Sequence, residues 1–558
     1  MDLLWRIENA TDCKTIKLEK DKTYHVWQGD CPLRFGHYFS NTATKEENPD
    51  GRHRAAFYLQ NKKNIKIDGN GATLLIHGVV TPMLFDGCEN VTVKNLTIDY
   101  ARPTMSEFTI EKKEGKGYLL HIPEEYLFEI RGNTLVWLGE KDLGGNRLWE
   151  IPYKDKDVLS MYYHPEEEKI CILKTEDGDV HPSVPKFSRI ERIDGTHVRV
   201  ELENETAFFP VGCTVQTRRV TRMEAGAGFL YCKNLRLENV RICAMNGFGL
   251  LAQFCENVTY NGLDCTPKIG RTAASNADFF HFSGCKGDIV IENCKAAAGH
   301  DDFINVHGTH LRIIEHDKEK NSLLVRFMNA QSRGFKAFFV GDKLELIKWN
   351  TLLPYAEAEV REVRKINDTD VLLVLDRALP EIELGKDVVE NATWTPSLTV
   401  RNNYFGCSGC RGILCTTRKP VLIENNVFYH VSGVPLLVED DCNFWFESGY
   451  TQEIVFKNNR VVGCGYGFEN EGGPLVQITP KILDENFNGC VHGSLILEKN
   501  TFEEANIAGH FFCLEYVDKV VLSKNSFDAE YTIVKKAVRE CREEENTVRY
   551  EVLEKGVK

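Results

Sequence analysis

One short phrase recurs along the chain and constrains its fold more than any other feature. Two or three alternating apolar residues are followed by a turn residue, often Asn, and then by another short apolar stretch. It reads NIKIDGNG from Asn64, NVTVKNLTID from Asn90, NLRLENVRIC from Asn234, NVTYNGLDC from Asn257 and DIVIENCKA from Asp288. It returns as SLTVRNNYFG from Ser397, PVLIENNVFYH from Pro420, EIVFKNNRVVG from Glu453, SLILEKNTFEE from Ser494 and KVVLSKNSFDA from Lys519. Neighbouring copies lie about one turn apart: Asn425 follows Asn402 by 23 residues and Asn525 follows Asn500 by 25. Strand-length alternation at such a period is the signature of a solenoid. Strands this short, joined by Asn, Gly and Asp rather than by helical segments, predict an all-β, right-handed parallel β-helix whose inward residues stack on the coil below. Asn just after a strand suits both a left-handed backbone and amide ladders between coils. Cys88, Cys232, Cys255 and Cys285 fall at similar places and fit a narrow interior.

The phrase stops twice. Residues 102–220 are more charged and carry longer alternating stretches such as THVRVELE; residues 311–396 do the same with LRIIEHDKEKNSLLVRF and DVLLVLDRAL. Both read as inserted antiparallel β-barrel or sandwich domains, with a hairpin signal at Asp194-Gly195 in the first. The solenoid is then expected over 1–101, 221–310 and 397–558. The second insert begins just after the segment HDDFINVHG, where it would wall a groove into a pocket.

Composition narrows the function. With 42% hydrophobic and 27% charged residues, this is globular material with ample core. A formal charge of −14 and no Lys/Arg-rich run argue against nucleic acid as a partner. The first 20 residues lack the basic and apolar regions of a secretory signal, so a cytoplasmic protein is expected, and no stretch has the roughly 20 apolar residues of a membrane helix. The 19 cysteines are scattered through hydrophobic segments and read as reduced and buried. The one CxxC, Cys407 and Cys410, is weak evidence for metal or redox use.

Three aspartates frame the candidate site: Asp278 in NADFFHF, then Asp301 and Asp302 in AAAGHDDFINVHGTH, with Asp301 23 residues after Asp278. Carboxyls one coil apart face one groove. Inverting hydrolysis of a glycosidic bond takes a protonated carboxyl and a carboxylate about 6.5–9.5 Å apart, and strands about 4.8 Å apart let a diagonal pair span that gap. Crowding raises the pKa of at least one member. Strand parity from Ile304 and Val306 would aim Asp302 inward, so a bend over 299–303 is required. His281, His300, His307 and His310 crowd the same stretch, as groups for sugar hydroxyls rather than a zinc signature.

The segments NADFFHFSGCKGDIVIENC, GHDDFINVHGT, RGILCTT and NFWFESG, together with FYLQNKKNIKIDGNGATLLIHG near the start, resemble glycoside hydrolase family 110. The likeness spans nearly the whole chain. It implies an exo-acting, inverting α-1,3-galactosidase on a parallel β-helix with inserted β domains. By matching motif positions it implies Asp301 as general acid, with Asp278 and Asp302 as candidates for the base. One departure is Phe279, where relatives more often carry Gly, and it is expected to narrow the pocket or shift the substrate preference. Arg411, Trp445 and Glu447 have the chemistry of a galactose pocket, an aromatic face and charged groups for hydroxyls; the alternatives are a core tryptophan and an ion pair from Arg411 to Glu439 or Asp440. Asn305 and His307 are expected to line the same groove. The expected substrate is an oligosaccharide or glycan with terminal α-galactose, blood-group-B-type or linear, with no metal or organic cofactor and with a homodimer through the inserts. The rivals are a polygalacturonase-like hydrolase and a non-catalytic glycan-binding β-helix.

Overall fold

The computed structural model describes residues 2–154, 158–172, 186–203, 209–467, 473–504, 511–547 and 550–554. Alternating short strands build two long parallel sheets of 21 and 14 strands. In the first, Lys63–Asp68 pairs with Glu89–Tyr100, which pairs with Lys233–Ile242 and then Glu256–Asn261, Lys286–Glu292 and Pro396–Arg401. The ladder continues through Val421–Glu424, Glu453–Lys457, His492–Glu498 and Val517–Ser523. Register follows the apolar alternation. Ile65, Val91, Leu235, Val258, Ile289, Leu398, Val421, Ile454, Leu495 and Val520 occupy one inward position coil after coil, and all are buried. A one-residue slip would turn every such side chain outward. A short helix, Asp2–Glu8, was not foreseen; Leu3 and Ile7 bury its apolar face against the first coils.

Asparagine does two separate jobs. Asn64, Asn90, Asn234 and Asn257 have φ of 56°, 56°, 55° and 58°, and the amides of the last three each donate to the preceding one at 2.8 Å. In the later coils the left-handed residue comes one position earlier, at Asn402, Asn425, Asn458, Lys499, Lys524 and Glu545. The next residue forms a buried ladder: Asn403, Asn426, Asn459, Asn500, Asn525 and Asn546. Within it, the Asn459 carboxamide donates to the Ile423 carbonyl at 2.9 Å and accepts the Asn426 backbone N–H at 2.9 Å. The expected cysteine stack is also present, with the Cys232, Cys255 and Cys285 thiols donating to carbonyls of Phe85, Phe229 and Ala252 one coil below. All 19 cysteines are free.

At both interruptions the solenoid strands close up as though nothing intervened. Val93 pairs with Leu237 across the first, and Ile289 with Leu398 across the second. Strands from Ser106 to Arg219 form a seven-stranded and a three-stranded antiparallel sheet around one aromatic core of Phe108, Trp137, Tyr153 and Phe209. Strands from Leu311 to Asn391 form a closed six-stranded barrel, which abolishes free edges.

Removing Asn459 leaves a buried carbonyl and a buried N–H unpaired. Asn459→Ala is therefore expected to cost about 1–3 kcal/mol, whereas Asn90→Gly, which tolerates the left-handed backbone and loses only an exposed ladder bond, costs less than about 1 kcal/mol. Thermal and denaturant unfolding of the two variants checks this, and equal losses would contradict it.

Candidate active site

Backbone register brings the site together. Phe280 pairs with Ile304, and Ile304 with Ile413. Two residues back along each strand, Asp278, Asp302 and Arg411 occupy one position on three successive coils. The Phe279 N–H donates to the Asp302 carbonyl at 2.9 Å, and the Phe303 N–H to the Arg411 carbonyl at 3.3 Å. The required bend is made by residues 300–303, between strands Lys295–Gly299 and Ile304–Thr309. Phe303 and Ile304 both point into the core, as Phe279 and Phe280 do one coil below. That double-inward step resets the alternation, so Asp278 and Asp302 emerge on the outer face. Phe279 does not narrow the pocket: it is fully buried and stacks on Phe303 at 5.3 Å. It does demand Gly299, where an added Cβ would come within 2.3 Å of its ring.

A pocket of about 550 Å3, counting its open mouth, is lined by Asp278, Asp301, Asp302, Asn305, Arg411, Trp445 and Glu447. Seven of the eight residues singled out from the sequence thus meet in one place. His307 is the exception. It sits behind the wall, its Nδ1 2.6 Å from the Gly308 carbonyl and its Nε2 3.0 Å from Nε2 of His281. The other histidines are also behind it: His281 Nδ1 meets Asp278 Oδ2 at 2.8 Å, His300 binds Gln216, and His310 binds the Asp441 carbonyl.

The carboxyls differ by depth and by cation. Side-chain exposure is 19% for Asp301, 5% for Asp278 and 0% for Asp302, so Asp301 stands nearest the mouth. Arg411 donates to both oxygens of Asp302 at 2.7 and 2.8 Å, a fork that takes the place of the alternative pairing with Glu439 or Asp440. Burial, with the charges of Asp278 and Asp301, pushes Asp302 up to about 8 against that pull. Arg222 donates to Asp301 at 2.9 Å. Burial would raise Asp301, but the guanidiniums of Arg222, Arg411 and Arg218 outweigh it and hold it below the usual carboxylate range. Asp278 has no cation of its own, and burial, with the Asp301 charge beside it, pushes it up to about 8. Asp278 and Asp302 thus titrate as a coupled pair, both raised to about 8; because the Arg411 fork occupies both Asp302 oxygens as acceptors, the proton resides on Asp278 near neutral pH.

The remaining wall is polar and pre-positioned. Asn305 Oδ1 is buried and has no hydrogen-bond partner within the protein, leaving it free for a ligand hydroxyl. Glu447 accepts from Asn41 at 2.7 Å. Trp445 is 39% exposed, which rules out the core reading, and stands edge-on to the more exposed Phe444. Their loop is tied by the Asp441 carboxylate, which accepts backbone N–H groups of Asn443, Phe444, Trp445 and Phe446. Both inserts buttress the wall: Arg222 follows the first, and in the second the Ser332 hydroxyl donates to Asn41 and the Asn329 amide to the Phe444 carbonyl. Asn41 and Arg222 were not read from the sequence. Arg222, in the stretch TRRVTR where the chain rejoins the solenoid, gave a faint signal; Asn41 arrives by a long loop and gave none.

Among the described residues, Asp301, Asp302 and Cys410 offer ligand atoms within 4.8 Å of one another. Arg222 and Arg411 already supply the positive charge there, so the donor set does not suit a further cation. Cys407 of the CxxC turns away, its thiol donating to the Glu168 carbonyl. A larger cavity, about 980 Å3, lies between the barrel and the N-terminal loop. Of its lining residues, Asp368 pairs with Lys365 and with Lys45, and Asp86 lies 3.7 Å from His37.

A parallel β-helix carrying a walled, three-carboxyl pocket defines a carbohydrate-active enzyme of the β-helix class. Residues 322–389, within the barrel, match the family model for GLAA-B beta-barrel domain II. The chain is 34% identical to alpha-1,3-galactosidase A of Bacteroides fragilis over 88% of its own length and 78% of that protein. It is 34% identical to alpha-1,3-galactosidase A of Bacteroides thetaiotaomicron, covering 89% and 83%, and 33% identical to that of Akkermansia muciniphila, covering 90% and 79%. The chain belongs to the α-1,3-galactosidase family.

Arg411→Leu would leave Asp302 as a buried charge without its cation, at a cost of about 3 kcal/mol. Adding Asp302→Asn should restore much of the loss. Unfolding midpoints of the single and double variants check this; simple additivity of the two losses would contradict the pairing.

Proposed function

We propose that the protein is an exo-acting glycoside hydrolase that releases terminal α-1,3-linked galactose with inversion, and that its finer placement is glycoside hydrolase family 110. The observation that carries this reading is the arrangement of the three carboxyls, one at the pocket mouth and two beneath it, in a chain a third identical to α-1,3-galactosidases. A terminal galactose fills the pocket, with Trp445 against its apolar face and Asn305, Glu447 and Asn41 on its hydroxyls. Its glycosidic oxygen then faces the mouth, where Asp301 stands as general acid. Asp278, deeper and one coil below, activates the water on the opposite face. Asp302 lies too close to Asp301 to be its inverting partner, with ligand atoms within 4.8 Å, and Arg411 occupies both its oxygens; it anchors Arg411 instead.

Inversion ends with a proton on the base and none on the acid. The empty pocket has this distribution, Asp278 protonated and Asp301 ionised beside Arg222. A new cycle moves that proton to Asp301 as the substrate oxygen displaces Arg222 and excludes water. Blood-group-B-type branched and linear α-galactosyl ends both present the required terminal sugar.

The purified protein is expected to release galactose from α-1,3-galactobiose and nothing from polygalacturonate; the reverse pattern would move the assignment to uronic acid polymers. Asp301→Asn should lower kcat by roughly 10²–10⁴-fold while substrate still binds. Because the cluster loses its one proton as pH rises through about 8, kcat/KM should be retained below that pH and fall above it. A profile rising through pH 8 would contradict the one-proton site.

A further inference from the structure

Two aromatic side chains stand side by side on the loop at the pocket mouth, and only one of them, Trp445, lines the pocket. Its neighbour Phe444 is 72% exposed, with ring centroids 5.5 Å apart and ring planes at 86°. Single exposed apolar residues are common and ordinarily need no explanation. This one differs in how it is held. The Asp441 carboxylate accepts the backbone N–H groups of Asn443, Phe444, Trp445 and Phe446. From the barrel, the Asn329 amide donates to the Phe444 carbonyl at 3.3 Å, and Arg312 donates to the Cys442 carbonyl at 2.9 Å. The loop is fixed through its backbone, and the phenyl ring is left in solvent. A ring displayed this way adds little to folding, but it meets a ligand already in place, without the entropy of ordering a mobile side chain.

We infer that Phe444 is the platform of an aglycone subsite, stacking on the second sugar ring, and that together with Trp445 it favours axially linked disaccharides. This rests on the reading of the pocket as the seat of a terminal α-galactose with Trp445 against its apolar face. The glycosidic oxygen then lies at the mouth beside Asp301, the most exposed of the three carboxyls. The second ring emerges there, where Trp445 reaches solvent and Phe444 follows it. Stereochemistry decides how that ring is turned. An α bond leaves C1 along the axis of the galactose ring, so the second ring stands across the first. An equatorial β bond would keep the two rings nearly level. Two aromatic planes at 86° suit a pair of crossed rings and not a level pair. Each aromatic face takes the C–H-bearing side of a pyranose, whose weakly positive hydrogens meet the negative π face. Phe444 has no polar side-chain atom, so the subsite takes a pyranose ring by its shape and does not read particular hydroxyls. It touches neither the reacting atoms nor the terminal sugar. Its contribution is equal in ground and transition states, and so belongs in KM and not in kcat.

Phe444→Ala tests this, since backbone ties and not the exposed ring hold the loop. With α-1,3-galactobiose, KM is expected to rise about 3–10-fold at unchanged kcat. With α-galactosyl fluoride, which carries the same terminal sugar and no second ring, KM should stay within about twofold of wild type. Phe444→Tyr, which keeps the ring, should match wild type on both substrates. Equal changes on the two substrates, or none on galactobiose, overturn the subsite. Binding supplies a readout independent of turnover. Calorimetry on Asp301→Asn should show α-1,3-galactobiose bound about 3–10-fold more tightly than methyl α-galactoside, an advantage that vanishes when Phe444→Ala is added. No advantage, or one that survives Phe444→Ala, overturns the subsite. A wild-type enzyme that releases no galactose would instead sink the hydrolase reading, a different failure, and the binding comparison would still decide the subsite.

Discussion

In a stacked coil, the height and direction of each side chain are set by the residue one turn below. Everything at the pocket depends on that registration. Asp278, Asp302 and Arg411 come from segments up to 133 positions apart in sequence, yet occupy one position on three successive coils because Phe280, Ile304 and Ile413 are hydrogen-bonded partners. The double-inward steps Phe279–Phe280 and Phe303–Ile304 turn two acidic side chains out of a core that would otherwise hold them. Apolar packing thus places the chemistry: the same burial that stabilises the coil aims the carboxyls.

Electrostatics then differentiates three chemically identical groups. Two guanidiniums among three buried carboxyls fix one ion pair at Asp302, hold a second charge at Asp301 and leave Asp278 with the proton. Depth sorts the roles further. In the proposed mechanism the group nearest the mouth meets the leaving oxygen, and the deeper one meets water. The division of labour comes from neighbours and position, which is how a site made of a single residue type performs both acid and base chemistry. Arg222 and Arg411 also explain why a net acidic pocket folds at all, since uncompensated carboxylates at such burial would be strongly destabilising.

Much of this was legible in the sequence because a solenoid converts spacing into proximity. A repeat of about 23 residues reports that Asp278 and the Asp301–Asp302 pair meet in one groove, although the coil-to-coil partner of Asp278 is Asp302, and the interrupted phrase reports where the chain leaves and rejoins the coil. The Asn motif was visible too, though it merged two roles that the structure separates: Asn90 adopts the left-handed backbone itself, whereas Asn459 follows a residue that does. What escaped were contacts made across loops. Asn41, the Arg222–Asp301 pair and the Asp441 loop tie have no periodic signature. His307 was misplaced for a related reason. Parity puts it on the groove side with Asn305, but its ring turns back to the Gly308 carbonyl and His281, and Glu447 from a later strand closes over it. Phe279 was misplaced because a pair of consecutive inward residues breaks the alternation on which its expected position relied.

The central claim is that Asp301 and Asp278 act from opposite faces of the sugar, with water between base and anomeric carbon. Proton NMR of the reaction with α-1,3-galactobiose reads that geometry directly from the anomeric signal of the first galactose released. The account predicts β-galactose first, with the α-anomer growing in only by mutarotation. Early α-galactose would mean that a carboxylate attacks the sugar itself, and would contradict the arrangement of acid, base and water derived from this pocket.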